Sequence, residues 1–142
     1  MAGWKRRLGA LGVVAGAMLA ARLTRYEIAE DSMRPALSPG DWVLGLRHPH
    51  RITAGDVVVL DLPGRPGFEI VKRVAAVAGD ALETPDGPRT VGADEVWVLG
   101  DDPAAGSVDS RHFGPVGRAS IRAKLIWRYQ PLPVTRIESL VR

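Results

Sequence analysis

The sequence predicts an all-β fold, a compact antiparallel β sandwich or barrel, preceded by one N-terminal apolar helix. Three observations lead there. Beyond residue 25 the chain is broken into short apolar runs by Gly, Pro and Asp, and the runs are shorter than globular helices. The longest of them, Phe68 to Ala78, reads with period two. Ahead of these runs, Leu8 to Ala21 carries no charged or strongly polar side chain. With 142 residues and 46% hydrophobic content, the chain can bury one sizeable core. The expected division is therefore residues 1–25 as a basic segment with a membrane anchor, and residues 26–142 as one β-rich domain.

Taken in order, the expected strands are Tyr26 to Ala29, Trp42 to Leu46, Val57 to Leu60, Phe68 to Ala78, Ala81 to Thr84, Arg89 to Val91, Val96 to Leu99 and Ile121 to Tyr129. The separators have turn chemistry: Ser38-Pro39-Gly40-Asp41, Ala54-Gly55-Asp56, Pro63-Gly64-Arg65-Pro66-Gly67, Gly79-Asp80 and Pro85-Asp86-Gly87-Pro88. No internal repeat is evident. Trp42, Trp97 and Trp127 alternate with aliphatic residues, as core or membrane-facing aromatics do.

At the N-terminus Lys5-Arg6-Arg7 precedes the apolar segment, and Arg22, Leu23, Thr24 and Arg25 follow it. A helix of that length spans about 21 Å, short of a hydrocarbon core of roughly 30 Å. Leu23, with Arg22 snorkelling outward, extends it to about 24 Å, and local thinning of the bilayer covers part of the rest. A cleaved signal peptide also fits this pattern, with Ala15-Gly16-Ala17 as its Ala-x-Ala site. The basic residues ahead of the segment favour the N-terminus inside, which places the domain on the extracytoplasmic side of a cell membrane with a single span.

Composition excludes several chemistries. There is no cysteine, hence no thiol nucleophile, disulfide framework or zinc knuckle. The net charge of +3 is scattered rather than gathered into an aromatic-lined stripe, which argues against a nucleic-acid partner. His48-Pro49-His50 has no neighbouring carboxylates and reads as a solvated loop, so neither a metal nor a cofactor is expected.

The candidate site begins with a lysine in an apolar strand. Phe68, Ile70, Lys72, Val74 and Ala76 share one face of the run, and Glu69, Val71, Arg73, Ala75 and Val77 share the other. Lys72 is the single charge on its face. A buried amine loses its proton more readily, and a neutral amine beside a hydroxyl is a general base beside a nucleophile. The candidate hydroxyl is Ser32, in Glu30-Asp31-Ser32-Met33-Arg34-Pro35-Ala36-Leu37. Two duller readings compete: Lys72 snorkels from a strand end, and Ser32 sits in an ordinary turn. A His112, Asp109 and Ser32 triad is a further reading, and it leaves the buried Lys72 without a purpose.

Three segments in order carry a resemblance. Ser32-Met33-Arg34-Pro35-Ala36-Leu37, Lys72-Arg73-Val74 through Gly79-Asp80, and Gly100-Asp101-Asp102 with Ser107-Val108-Asp109-Ser110-Arg111 look like the three boxes of the type I signal peptidase family. The matched region runs from about Ile28 to Val116. Only 28 residues separate Lys72 from Gly100, so the chain is similar to the minimal forms of that family, including those of Gram-positive bacteria and the mitochondrial inner membrane.

The resemblance implies a compact β domain with its active site in a groove, Ser32 as nucleophile and Lys72 as general base. It also implies Ser107 as the hydroxyl that orients the amine, with Asp109 and Arg111 as a salt bridge holding that loop. The implied activity is a membrane-anchored serine endopeptidase whose partners are membrane lipid and the signal peptides of exported preproteins, bound extended with small side chains at the cleavage site. It favours an uncleaved anchor, since Ser32 follows the apolar segment closely. The alternatives within the resemblance are a dedicated maturation protease, such as one removing the leader of nickel superoxide dismutase, and an inactive member acting as a binding subunit.

Ala36 and Asp102 depart from the family's Thr and Asn without touching the chemistry. Glu30 departs at the position where some members supply an oxyanion-binding serine. An ionised carboxylate cannot donate a hydrogen bond, so the Ser32 N–H is expected to serve the oxyanion while Glu30 turns to solvent.

Overall fold

The computed structural model describes residues 15–137. Its strands are β1 (Leu23–Glu27), β2 (Trp42–Arg47), β3 (Val57–Leu62), β4 (Arg65–Val77), β5 (Ala81–Thr84), β6 (Gly87–Thr90), β7 (Glu95–Leu99), β8 (Val116–Gly117), β9 (Ile121–Gln130) and β10 (Thr135–Arg136). All pairings are antiparallel, as expected of the class. One large sheet runs β1-β2-β9-β3-β4-β7-β8 with β10 added on β9, and β5 pairs with β6 as a separate hairpin.

The apolar run Val57-Val58-Val59-Leu60 explains why β3 lies in the middle. Its alternate residues enter two different cores, Val57 and Val59 on one face, Val58 and Leu60 on the other. A strand covered on both faces reads as a continuous hydrophobic stretch. The first core gathers Val43, Ala123 and Leu125 from β2 and β9 under Ile28, Met33 and Leu37. The second gathers Ile70, Val74, Val96 and Val98 from β4 and β7, with Phe113 packed against it. The segment holding Ser32 is thus the lid of one core, while Lys72 lies on the face that belongs to the other.

The Gly-Asp separators share one device. In Ser38 to Asp41, Thr53 to Asp56 and Val77 to Asp80, the aspartate carboxylate accepts the N–H three residues earlier, each at 2.9 Å. The intervening Gly40, Gly55 and Gly79 have φ of 87°, 96° and 87°, a region open to glycine and strained for other residues.

Several boundaries differ from expectation. The strand expected from Phe68 starts at Arg65, because β3 and β4 turn tightly at Pro63-Gly64 and a register irregularity absorbs Pro66, Gly67 and Phe68. The two-residue strand β8 and the two-residue strand β10 are too short to leave a periodic signal. At the other end β1 starts at Leu23, which pairs with Leu46. Leu23 therefore belongs to the sheet and cannot lengthen a preceding helix. Arg22 does not snorkel either: its guanidinium donates to the carbonyls of Arg47 and His48 at the end of β2.

Residues 15–21 are helical, with Met18 and Leu19 exposed. Among the described residues no helix is long and apolar enough to cross a membrane. The greater part of the expected anchor, residues 1–14, lies outside the described residues.

Candidate active site

Ser32 stands on a single 3-10 turn, Asp31–Met33, entered from an extended Glu30. Met33 and Leu37 pin this turn into the first core, each 1% exposed, and the Leu37 N–H closes it on the Met33 carbonyl at 2.9 Å. A second clamp comes from across the site. The Asp102 N–H donates to the Ser32 carbonyl at 2.9 Å, tying the turn to the loop after β7.

Along β4 the alternation holds where it matters. Ile70, Lys72, Val74 and Ala76 are buried, whereas Phe68, on the same nominal face, is exposed near the turn of the hairpin beneath the Arg65 guanidinium. Lys72 is 1% exposed and Ser32 3% exposed. The Lys72 Nζ lies 3.0 Å from Ser32 Oγ and 3.2 Å from Ser107 Oγ, so residues 40 and 35 positions apart converge on one amine. No carboxylate forms an ion pair with it among the described residues. Burial lowers the amine's affinity for its proton, and the negative charges of Glu30 and Asp109 only partly offset that effect, so its pKa lies below that of an ordinary lysine.

Asp109 and Arg111 form the expected pair. Asp109, fully buried, accepts from Arg111 Nε at 3.1 Å and Nη2 at 2.7 Å, from the Arg111 backbone N–H at 3.0 Å and from the Gly100 N–H at 3.2 Å. Burial by itself raises its pKa, but these donors outweigh burial and hold the carboxyl below the usual range. Asp109 also caps the short helix Ser110–Phe113. The sequence reads there as a plain polar turn, because four residues are too few for a helical period to show.

Replacing this carboxylate with the isosteric amide is expected to destabilise the fold. Asp109→Asn turns one acceptor oxygen into a donor facing N–H groups, a loss of about 1–3 kcal/mol for a buried group left unsatisfied. The sign with pH follows from the lowered pKa. The ionised carboxylate stabilises fully above the unfolded value near 3.9 and less as pH falls toward the lower folded value. Denaturant unfolding should therefore show a gap between wild type and variant at pH 7 that narrows below about pH 4.

His112 is placed by the same motif. Its Nδ1 accepts the Asp109 N–H at 3.3 Å and completes the helix cap. Among the described residues it makes no hydrogen bond to Ser32, whose hydroxyl faces Lys72. His48 and His50 are not clustered with carboxylates, and no group that could hold a metal ion occurs among the described residues. Glu30 is exposed, on the solvent side as expected.

Three further participants lie within the matched segments, with no role expected of them from the sequence. Ser110 is buried and its Oγ accepts the Val98 N–H at 2.9 Å, fixing the helix to β7. Arg73, on the opposite face from Lys72, donates two hydrogen bonds of 2.7 Å to Asp101 and one of 2.8 Å to the Gly55 carbonyl. Arg73 belongs to the matched Lys72-Arg73-Val74 segment, and the alternation of β4 places it on the face opposite Lys72. Gly100 lies so close that an added Cβ would sit 3.1 Å from the Ser32 carbonyl oxygen and 3.3 Å from Ser107 Oγ. Beside these residues opens a groove of about 600 Å³, whose lining includes Pro35, Ala36, Ala54, Arg73, Leu99 and Gly100.

Comparison with known proteins bears on this arrangement. The family profile described as "Signal peptidase, peptidase S26" matches residues 1–88, which include Ser32 and Lys72. The chain is 37% identical over 112 residues to the mitochondrial ATP-independent inner membrane protease subunit 1a of Arabidopsis thaliana, an alignment covering 70% of this chain and 66% of that protein. It is 33% identical over 111 residues to the mitochondrial inner membrane protease subunit 1 of Schizosaccharomyces pombe, covering 72% and 70%. Against the human subunit 1 it is 32% identical over 110 residues, covering 71% and 66%. The chain thus spans about two thirds of the length of these relatives. With more than half of its residues matched by the family profile, the chain belongs to the signal peptidase family of peptidases.

Proposed function

We propose that this chain is a membrane-anchored serine endopeptidase that removes signal peptides from exported preproteins with Ser32 and Lys72 as its catalytic pair. The observation that carries the reading is the buried 3.0 Å contact between Lys72 Nζ and Ser32 Oγ, at an amine whose pKa is lowered by burial. A neutral amine has one lone pair and two N–H bonds. With an N–H donated to Ser107 Oγ, the lone pair is left facing Ser32, which is how a second hydroxyl aims a flexible base.

In the proposed reaction Ser32 Oγ attacks the scissile carbonyl as Lys72 Nζ takes its proton. The Ser32 N–H donates to the oxyanion of the tetrahedral intermediate. Lys72 returns the proton to the leaving amine, which gives the acyl-enzyme, and then activates the water that hydrolyses it. The reaction so written needs no metal or cofactor. The names of the relatives, inner membrane proteases, support a membrane setting, and the family's name supports a signal peptide as substrate. The proposed location is a cell membrane, with a single span that begins near Leu8 and ends before Leu23, which lies in β1, and with the domain outside.

The test is cleavage of a peptide carrying a hydrophobic segment and an Ala-x-Ala site by detergent-solubilised protein. Wild type should release the product and Ser32→Ala should not, with residual activity lower by roughly 10⁴-fold or more. A substrate untouched by both proteins would move the reading to a binding subunit.

A further inference from the structure

A second hollow lies beyond Ala36, of about 320 Å³, and shares Ala36 and Arg73 with the groove beside Ser32. Its character is different. Three arginines line it, Arg73 from β4, Arg128 from β9 and Arg136 from β10. Arg73 is matched by Asp101. Arg128 is held loosely, by Asp41 at 3.9 Å and by Thr135 Oγ1 at 3.4 Å, and its Nε is buried with no hydrogen-bond partner among the described residues. Arg136 is exposed and has no ion-pair partner among the described residues.

A buried guanidinium nitrogen without an acceptor costs free energy, and a cluster of guanidinium groups repels itself unless an anion joins it. Arginine's planar fork suits a carboxylate in particular. Because the hollow continues the groove next to the nucleophile, a chain bound at Ser32 can reach it.

We propose that this arginine hollow binds an acidic side chain of the substrate, Asp or Glu, a few residues from the scissile bond, so that Arg128 and Arg136 set specificity. The inference rests on the peptidase reading, and its test separates the two. Affinity is measured on the full-length Ser32→Ala protein in detergent, by fluorescence anisotropy, for peptides of one scaffold in which Asp or Asn is moved through each position flanking the cleavage site. At one position the Asp peptide should bind about tenfold tighter than its Asn twin, the size expected of hydrogen bonds to a charged group. Adding Arg136→Gln, an exposed position, should reduce that ratio several-fold and leave the Asn peptides unchanged. Higher salt should reduce it too.

A ratio near one at every position overturns the proposal, as does a ratio indifferent to Arg136→Gln. A preference that emerges only after Glu138→Gln would show that the chain's own carboxylate fills the hollow, which also overturns it. The proposal fails equally if Arg136→Gln weakens binding to phosphatidylglycerol vesicles while the peptide ratios stay flat, since the hollow would then serve lipid phosphate. If the Asp preference is present but wild type cleaves none of the peptides, the peptidase reading fails and the acidic site stands.

Discussion

Lys72→Arg should abolish peptide cleavage, with a fall of roughly 10⁴-fold or more, although it preserves charge and approximate length. Arginine stays protonated at any working pH and cannot accept the Ser32 proton. Lys72→Met separates chemistry from stability. It should be equally inactive, yet its melting temperature should match or exceed that of wild type. A buried ammonium costs several kcal/mol in desolvation, against about 1 kcal/mol for each of the two hydroxyl contacts it supplies.

The wild-type rate should rise with pH as the amine loses its proton, with a midpoint below the value near 10.4 of free lysine, because burial disfavours the charged form. Glu30 pulls the other way, so Glu30→Gln should move the midpoint further down. His112→Ala should stay active, since that imidazole caps the Ser110–Phe113 helix and leaves Ser32 to Lys72. If Lys72→Arg retained activity while His112→Ala lost it, the Ser-Lys mechanism would give way to the triad.

Gly100→Ala should cost on the order of 10²-fold in kcat, the penalty expected when reacting groups shift by a fraction of an ångström to 1 Å. The methyl group would press on the Ser32 carbonyl at 3.1 Å and on Ser107 Oγ at 3.3 Å, and so on both residues whose hydroxyls Lys72 touches. The Ser32 carbonyl has little freedom to yield, because the Asp102 N–H holds it at 2.9 Å. Kinetics on the variant should show the loss in kcat rather than KM, with an unfolding transition within about 1–2 kcal/mol of wild type. A Gly100→Ala enzyme of normal kcat would mean that the spacing around Ser32 is not a constraint.

Much of the fold is legible because its signals are local. The apolar run of β3, the alternation of β4 and the Gly-Asp turns each lie within a few residues, and the structure uses them as the sequence suggests. The elements without such a signal are either short or conditional on a distant partner. β8 and β10 exist because β7 and β9 offer free edges. Leu23 joins the sheet because Leu46 waits opposite it, although its neighbours in sequence resemble the end of an apolar segment.

The sequence by itself determined which residues could do chemistry: one lysine on an apolar strand face, the serine in its Met-Pro segment and the Ser-x-Asp-Ser-Arg loop. Only the tertiary structure decided that these meet. The 3.0 and 3.2 Å contacts at Lys72 join segments 40 and 35 residues apart, through a turn pinned under one core and a loop capped by Asp109. The desolvation that lowers the lysine's pKa is likewise a sum over all that packs around it. Strand periodicity is written into neighbouring residues, whereas distance and burial are properties of the whole packed chain.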